Sequence, residues 1–175
     1  MVTQERKMRM IERKYLAHYI DGAFDPSYAA TEYIRLGKDL EEYTIELNPE
    51  VETRKNILGE NSVSINGYEV SSSVDPFYYE YDEALSEKVM DIAMNRTTGD
   101  GCKTSVVDVL LKPGANAETE PDVVWAYRED CYVVPDSIGG DTSGVQIPFT
   151  IHRAGNRKKG TFDIKTKKFT EGNAL

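Results

Sequence analysis

The chain has 175 residues, of which 39% are hydrophobic and 29% are charged, so its composition is that of a globular protein rather than a disordered one. Thirty acidic against 21 basic residues give a formal net charge of −9, which argues against binding to nucleic acid phosphates or to anionic membranes. Two cysteines, Cys102 and Cys131, are too few for a disulfide framework and are expected to be free thiols.

The N-terminal segment 1–13 mixes charged residues with methionines and is predicted to be an arm outside the core. It has no signal-peptide h-region, and no apolar run reaches the length of a membrane span. We therefore expect a cytosolic protein without a membrane anchor. A single domain is expected over residues 14–170, followed by a short C-terminal tail at 171–175.

The first predicted strands lie at 15–20 and 32–36. The segment YLAHYI alternates in polarity and is rich in aromatic residues, which favours a strand, although a helix through Ile11, Tyr15 and Tyr19 is the alternative. Turn signals at Asp21-Gly22 and Asp25-Pro26 separate the two strands.

The segment 40–68 contains the most unusual pattern of the chain. Alternating polarity predicts a strand over 40–47, and it returns over 62–70 around Asn66-Gly67, a pair typical of a two-residue hairpin turn. The segment 48–61 between them is mostly polar and is predicted to be a long inter-strand loop. Loops of this length are usually functional, so contact with another molecule is expected to hold it.

The only strongly helical pattern follows Asp82, the predicted N-cap, and places Leu85, Val89 and Ile92 on one face. The helix is expected to end near residues 95 and 96. Strands are predicted at 104–111, 123–134, 144–151, 160–164 and 167–170, with turns at 135–136, 139–140 and 155–156. The expected fold is mostly β, a sandwich or barrel with one flanking α-helix.

No motif in the sequence indicates catalysis, a cofactor or a metal. His18 and His152 lack partners at metal-ligand spacing, and neither a nucleophile elbow nor a phosphate-binding glycine loop occurs. Trp125 and Tyr127 would share one face of a strand, and a place in the core is favoured over a sugar-binding platform. We expect a protein that is not an enzyme.

Four segments resemble the major tail tube proteins of phages and phage-derived tail-like particles of Firmicutes. They are YLAHYID, YIRLGKDLEEYTIELNPEVETRKNILGENSV, WAYRED and SIGGDTSGVQIPFTIH, and the resemblance covers roughly residues 11 to 170. That family shares its fold with type VI secretion tube proteins. The resemblance implies a structural virion protein whose hexameric rings stack into a hollow tail tube. DNA and the tape-measure protein would pass through the lumen, and a sheath and baseplate proteins are further possible partners.

The resemblance also implies roles for two groups of residues. Assembly contacts between subunits would be made by Asn48, Pro49, Glu50, Val51, Glu52, Arg54, Lys55, Asn56, Ile57, Leu58, Gly59 and Glu60. A lumen lined by carboxylates would repel DNA, and the candidates for that lining are Glu41, Glu42, Glu46, Glu69, Glu118 and Asp141. The subunit would be made in the cytoplasm of a bacterial host and end in the virion tail.

Three alternatives remain at this point. A tail-terminator or baseplate-hub protein would have the same fold but form a single ring. A free ligand-binding β-sandwich would use Trp125 or the aromatic residues Phe77, Tyr78, Tyr79 and Tyr81. An enzyme, the least favoured, would require a perturbed carboxylate pair in a closed pocket.

Overall fold

A computed structural model describes residues 10–28, 33–113 and 123–172 of the chain. This part contains twelve strands, one α-helix, and two 3-10 turns at Arg13–Tyr15 and Gly99–Cys102. The strands and helix are β1 (Leu16–Asp21), β2 (Tyr33–Leu36), β3 (Ile45–Glu46), β4 (Pro49–Lys55), β5 (Asn61–Tyr68), β6 (Ser71–Val74), α1 (Ala84–Asn95), β7 (Lys103–Leu111), β8 (Val123–Pro135), β9 (Gly139–Asp141), β10 (Gly144–Gln146), β11 (Phe149–Asp163) and β12 (Lys168–Glu171). No helix in the described ranges is long and apolar enough to cross a membrane.

Eight of these strands form one antiparallel sheet in the order β2-β1-β7-β8-β11-β6-β3, with β12 also paired to β11. The sheet curls into a half-barrel. The long strand β11 pairs with β8 on one side, while β6 and β12 share its other side at opposite ends. Two hairpins, β4–β5 and β9–β10, form separate two-stranded sheets.

Both faces of the sheet are buried near its centre. Val106 belongs to the core that packs under α1 through Leu85 and Val89, whereas Val107 packs on the opposite face with Tyr19. A strand buried on both faces reads as a nearly continuous apolar run, which explains the sequence VVDVLL in β7. The predicted mostly-β fold with one flanking helix is confirmed.

The helix begins one residue later than predicted. Glu83 is the N-cap, because its carboxylate accepts hydrogen bonds from the backbone amides of Leu85 and Ser86 at 3.2 and 2.8 Å. Asp82 instead takes a positive φ of 64° just before the cap. The predicted end at residue 95 or 96 is confirmed, since Arg96 closes the helix in the left-handed conformation.

The last predicted turn is wrong, because β11 runs without a break from Phe149 to Asp163. Gly155 and Asn156 have φ values of 86° and 53° and lie where the pairing with β8 shifts register. These two residues therefore form an irregularity inside one strand, where the positive φ that suits a turn is equally required. The predicted strand 144–151 is divided between β10 and β11 at residues 147–148.

Candidate assembly interface

The segment 48–61, predicted as a loop, is mostly a strand. Residues Pro49–Lys55 form β4, which pairs antiparallel with β5 over Asn61–Tyr68. The prediction of a loop was wrong because the polar residues of β4 alternate with Val51 and Thr53, a strand pattern that the many charges obscure. The predicted turn at Asn66-Gly67 was also wrong. Those residues lie inside β5, where the pairing shifts register next to Glu50.

The turn of this hairpin is held by Asn56 at residues 56–60. The Asn56 amide donates to the Glu60 carbonyl at 3.0 Å, and its side-chain oxygen accepts from the amides of Leu58 and Glu60 at 3.0 and 2.9 Å. The Asn56 side-chain amide also donates to the Glu60 carboxylate at 2.7 Å. Gly59 supplies a φ of 82°. The turn is thus a fixed structure rather than a loose tip.

The two faces of the hairpin differ in polarity. Val51 lies opposite Ile65 and Thr53 lies opposite Val63, so these four side chains share one face. The other face is polar and includes an ion pair in which Arg54 Nε donates to Glu52 Oε1 at 2.8 Å. The hairpin is therefore an amphipathic ribbon, whose apolar face is suited to packing against another surface.

Nothing in the described chain covers that apolar face. Val51, Val63 and Ile65 are 53%, 65% and 61% exposed, and Tyr68 at the base is 58% exposed. No residue from 49 to 68 is buried. Because an isolated two-stranded hairpin is marginally stable in water, and contiguous exposed apolar surface marks a contact site, we identify this hairpin as the candidate interface.

The hairpin extends from the edge of the main sheet at a defined bend. At its base β3 pairs with β6, so β4 and β5 prolong the same ribbon beyond the sheet. Asn48 makes the bend with a φ of 43°; its carbonyl accepts from the Glu69 amide at 3.1 Å, and its side chain donates to the Glu69 carbonyl at 3.0 Å. Asparagine tolerates this left-handed conformation, so the bend fixes the direction of the hairpin. The predicted strand 40–47 is shortened to Ile45–Glu46.

The predicted assembly residues, from Asn48 to Glu60, are thus united in β4, the turn and the bend. The lumen candidates are more scattered. Glu41, Glu42, Glu46, Glu69 and Asp141 are all exposed, whereas Glu118 lies outside the described residues. Glu46 and Glu69 flank the base of the hairpin, and Asp141 lies on the β9–β10 hairpin. Glu41 lines a cavity that is otherwise rich in basic side chains.

A buried ionic cluster crosses the centre of the sheet, and sequence reasoning missed it. His18 Nδ1 lies 2.7 Å from Asp108 Oδ1, and the Arg153 guanidinium donates to the same carboxylate at 2.7 and 3.3 Å. Arg153 also lies 3.7 Å from Glu129. The partners are 90 and 45 residues apart, so local spacing carries no signal. The only hint is a histidine and an aspartate within otherwise apolar strands.

This cluster is structural: its carboxylate and its imidazole are fully engaged, and of its described polar atoms the buried Arg153 Nε has no hydrogen-bond partner. Arg13 Nη2 lies 2.9 Å from His18 Nε2, and a guanidinium can only donate, so Nε2 accepts and Nδ1–H donates to Asp108. Burial alone would raise the pKa of Asp108, but the His18 hydrogen bond and the Arg153 charge lower it to about 2. With both ring nitrogens occupied, His18 has no free position for general base catalysis. His18 is thus a buried strand histidine whose two ring nitrogens are satisfied by Arg13 and Asp108.

The other predicted features have different outcomes. Trp125 and Tyr127 share a face of β8 as predicted, with their ring centroids 5.5 Å apart. Both are only half-buried and lie outside both core clusters, so the prediction of a core position was wrong. Cys102 and Cys131 are free and buried, which confirms that prediction. Across the described residues, no group of histidine, cysteine and acidic side chains could hold a metal ion.

Comparison of the sequence with models of protein families finds no match, and comparison with curated proteins finds none either. A functional assignment therefore depends on the geometry of the hairpin and on the charge of the chain. The hairpin is the more specific of the two, because it is an ordered element whose apolar side has no partner within the described structure.

Proposed function

We propose that this chain is the structural subunit of a phage tail tube, or of the tube of a phage-tail-like particle, and that it forms hexameric rings stacked into a hollow conduit for DNA. The observation that carries the proposal is the amphipathic hairpin of residues 49–68, whose apolar face is exposed in the single subunit. Stacking of rings would cover that face. The hairpin would then gain, from neighbouring subunits, the burial that its own chain does not supply.

Open sheet edges support ring formation. Within the described chain, β2 pairs only with β1 at one end of the large sheet, and β3 pairs only with β6 at the other. Such edges invite pairing with another chain. Head-to-tail pairing of one edge with the opposite edge of the next subunit is heterologous, and it closes a ring when the rotation between subunits permits. Six half-barrel sheets joined this way would line a common bore.

The acidity of the chain fits a conduit for DNA. With a net charge of −9, the subunit repels phosphate, and exposed carboxylates such as Glu46 and Glu69 at the hairpin base would contribute if they face the bore. Screening limits this repulsion to about 8 Å at physiological salt, so only lumen-facing residues matter. In this function the tape-measure protein and DNA pass through transiently, and the chain needs neither catalysis nor a cofactor.

Sedimentation analysis of the purified chain over a range of concentrations tests this proposal. We expect a ring species near six times the 19.7 kDa subunit mass, and longer assemblies as the concentration rises. The matched variant replaces residues 50–67 with a two-residue turn, which leaves the pairing of β3 with β6 and both cores in place. It should remain folded but fail to form stacked rings. A native chain that stays monomeric at every concentration would refute the proposal, and single rings without stacks would favour a tail terminator.

A further inference from the structure

A cavity of about 220 Å³ lies between helix α1 and the segment 34–40, and we call it the α1 pocket. Its inner surface is mainly apolar and includes Ile34, Leu36, Leu40, Val74, Phe77 and Leu85. Charged side chains of both signs also line it, namely Arg35, Lys38, Asp39, Glu80 and Glu83. Lys38, whose side chain is 71% exposed, also lines the pocket and forms an ion pair with Glu80. The pocket thus reaches the surface with charged side chains beside an apolar interior, which is the composition of a binding pocket.

A second cavity, of about 580 Å³, shares Arg35 and Lys38 with the α1 pocket. Arg13 and Lys14 also line it, and Glu41 is the one acidic residue among the described residues that do so. Lys14 forms an ion pair with Glu12 and Lys38 forms one with Glu80, so the basic character of this surface comes mainly from Arg13 and Arg35. The segment 35–40 therefore separates an apolar pocket from a basic one, and together they would accept an apolar group followed by a carboxylate.

The hairpin turn presents that combination. Ile57 is fully exposed and Leu58 is 77% exposed, and Glu60 follows two residues later. Asn56 fixes the backbone between them through its hydrogen bonds to the amides of Leu58 and Glu60. An apolar knob that is already ordered loses little conformational entropy when it binds, so its burial contributes more fully to affinity.

We propose that the occupant of the α1 pocket is the hairpin turn of a second copy of this chain, with Ile57 and Leu58 in the pocket and Glu60 toward the basic cavity. This inference rests on the proposed function, in which hairpins contact neighbouring subunits, and adds the surface that receives them. An apolar cavity of about 150 Å³ can hold a benzene molecule, so 220 Å³ accommodates aliphatic side chains of this size. A knob and a pocket at different places on one chain give head-to-tail contacts that continue from copy to copy.

Disulfide trapping tests the contact. A chain with Leu58→Cys is mixed with a chain carrying Glu80→Cys at the pocket, and the mixture is oxidised under assembly conditions. Because a disulfide requires Cα atoms within about 7 Å, a cross-linked dimer reports the predicted docking. The native Cys102 and Cys131 are buried and would not compete. The matched control is Met94→Cys, which is 68% exposed near the other end of α1.

The expected result is a Leu58–Glu80 cross-link at least tenfold more abundant than the Leu58–Met94 control. If assemblies form but the two cross-links are equally weak, the α1 pocket is not the receptor, and the tail tube function stands without it. If no rings or tubes form at any concentration, the proposed function and this inference both fail.

A substitution at the turn provides a second measurement. Ile57→Asp should raise the concentration needed for stacking at least tenfold, while Ile57→Leu should change it by less than threefold. Because Ile57 is fully exposed in the single subunit, neither change should alter the denaturation midpoint of the monomer. Stacking that is equally strong in the native chain and in the Ile57→Asp variant would overturn the inference.

Discussion

Removing the apolar character of one face of the hairpin should separate folding from assembly. The double substitution Val51→Thr with Ile65→Thr changes a cross-strand pair on the apolar face but keeps β-branched side chains, so the strands should persist. Both residues are more than half exposed in the single subunit. The free energy of unfolding of the monomer should therefore change by less than about 0.5 kcal/mol per site.

The expected loss in assembly follows from the exposed fractions. Full burial of a valine or isoleucine side chain stabilises by about 1.5 to 3 kcal/mol. With 53% of Val51 and 61% of Ile65 left to be covered by a neighbour, the pair should contribute roughly 2 to 3.5 kcal/mol to each contact. Every 1.4 kcal/mol is about a factor of ten, so the association constant should fall roughly 30- to 300-fold.

Light scattering as a function of concentration gives the threshold for assembly, and urea denaturation gives the stability of the monomer. The matched control is Val124→Thr with Val134→Thr, two sites on β8 that are 48% and 43% exposed. The control should assemble nearly as the native chain does. A hairpin variant with the assembly threshold of the native chain, or an equal loss of assembly in the hairpin and control variants, would refute a role for the apolar face in assembly.

Three other predictions concern the bend, the buried cluster and the charge of the bore. Asn48→Val should speed hydrogen exchange of the Glu69 amide about tenfold, because valine resists the positive φ of residue 48. Asn48→Gly should have a smaller effect, since glycine adopts that φ readily, and equal exchange rates in the two variants would contradict this prediction. The pKa of Asp108 is about 2, below its ordinary 3.8, so ionised Asp108 should contribute roughly 2 kcal/mol to the free energy of unfolding above pH 4. Urea denaturation should show this contribution disappearing as the pH falls through 2. Asp108→Asn should abolish that pH dependence and lower the free energy of unfolding by about 3 to 5 kcal/mol at neutral pH. Glu46→Lys with Glu69→Lys should leave assembly intact but slow DNA ejection from the particle, and unchanged ejection kinetics would show that these residues do not face the bore.

Local patterns in the sequence were enough to predict several elements of the fold. The spacing of Leu85, Val89 and Ile92 predicts α1 because a helix buries one stripe, and the structure buries all three. The strands in the rest of the chain are predicted by short runs in which apolar and polar residues alternate. Local patterns could not supply the pairing of strands that are far apart in the chain, such as the pairing of β11 with β6 and with β8.

The hairpin shows where such reasoning fails. Charged residues in β4 outnumber apolar ones, so the average hydrophobicity of the segment indicates a loop. The alternation of Val51 and Thr53 with charged neighbours is nevertheless the pattern of a strand. Asn66-Gly67 then suggested the wrong turn, because the pair lies at a register shift inside β5 and neither residue takes the positive φ that a type I′ turn requires. The spacing of His18, Asp108 and Arg153 along the chain gave no signal of the ionic cluster, because tertiary pairing alone brings these residues together.

Electron cryomicroscopy of the concentrated, purified chain should show hollow tubes built of six-fold rings, in which a subunit of the adjacent ring covers the apolar face of residues 49–68. Monomers at every concentration, or tubes in which Val51, Val63 and Ile65 remain in contact with solvent, would contradict this prediction.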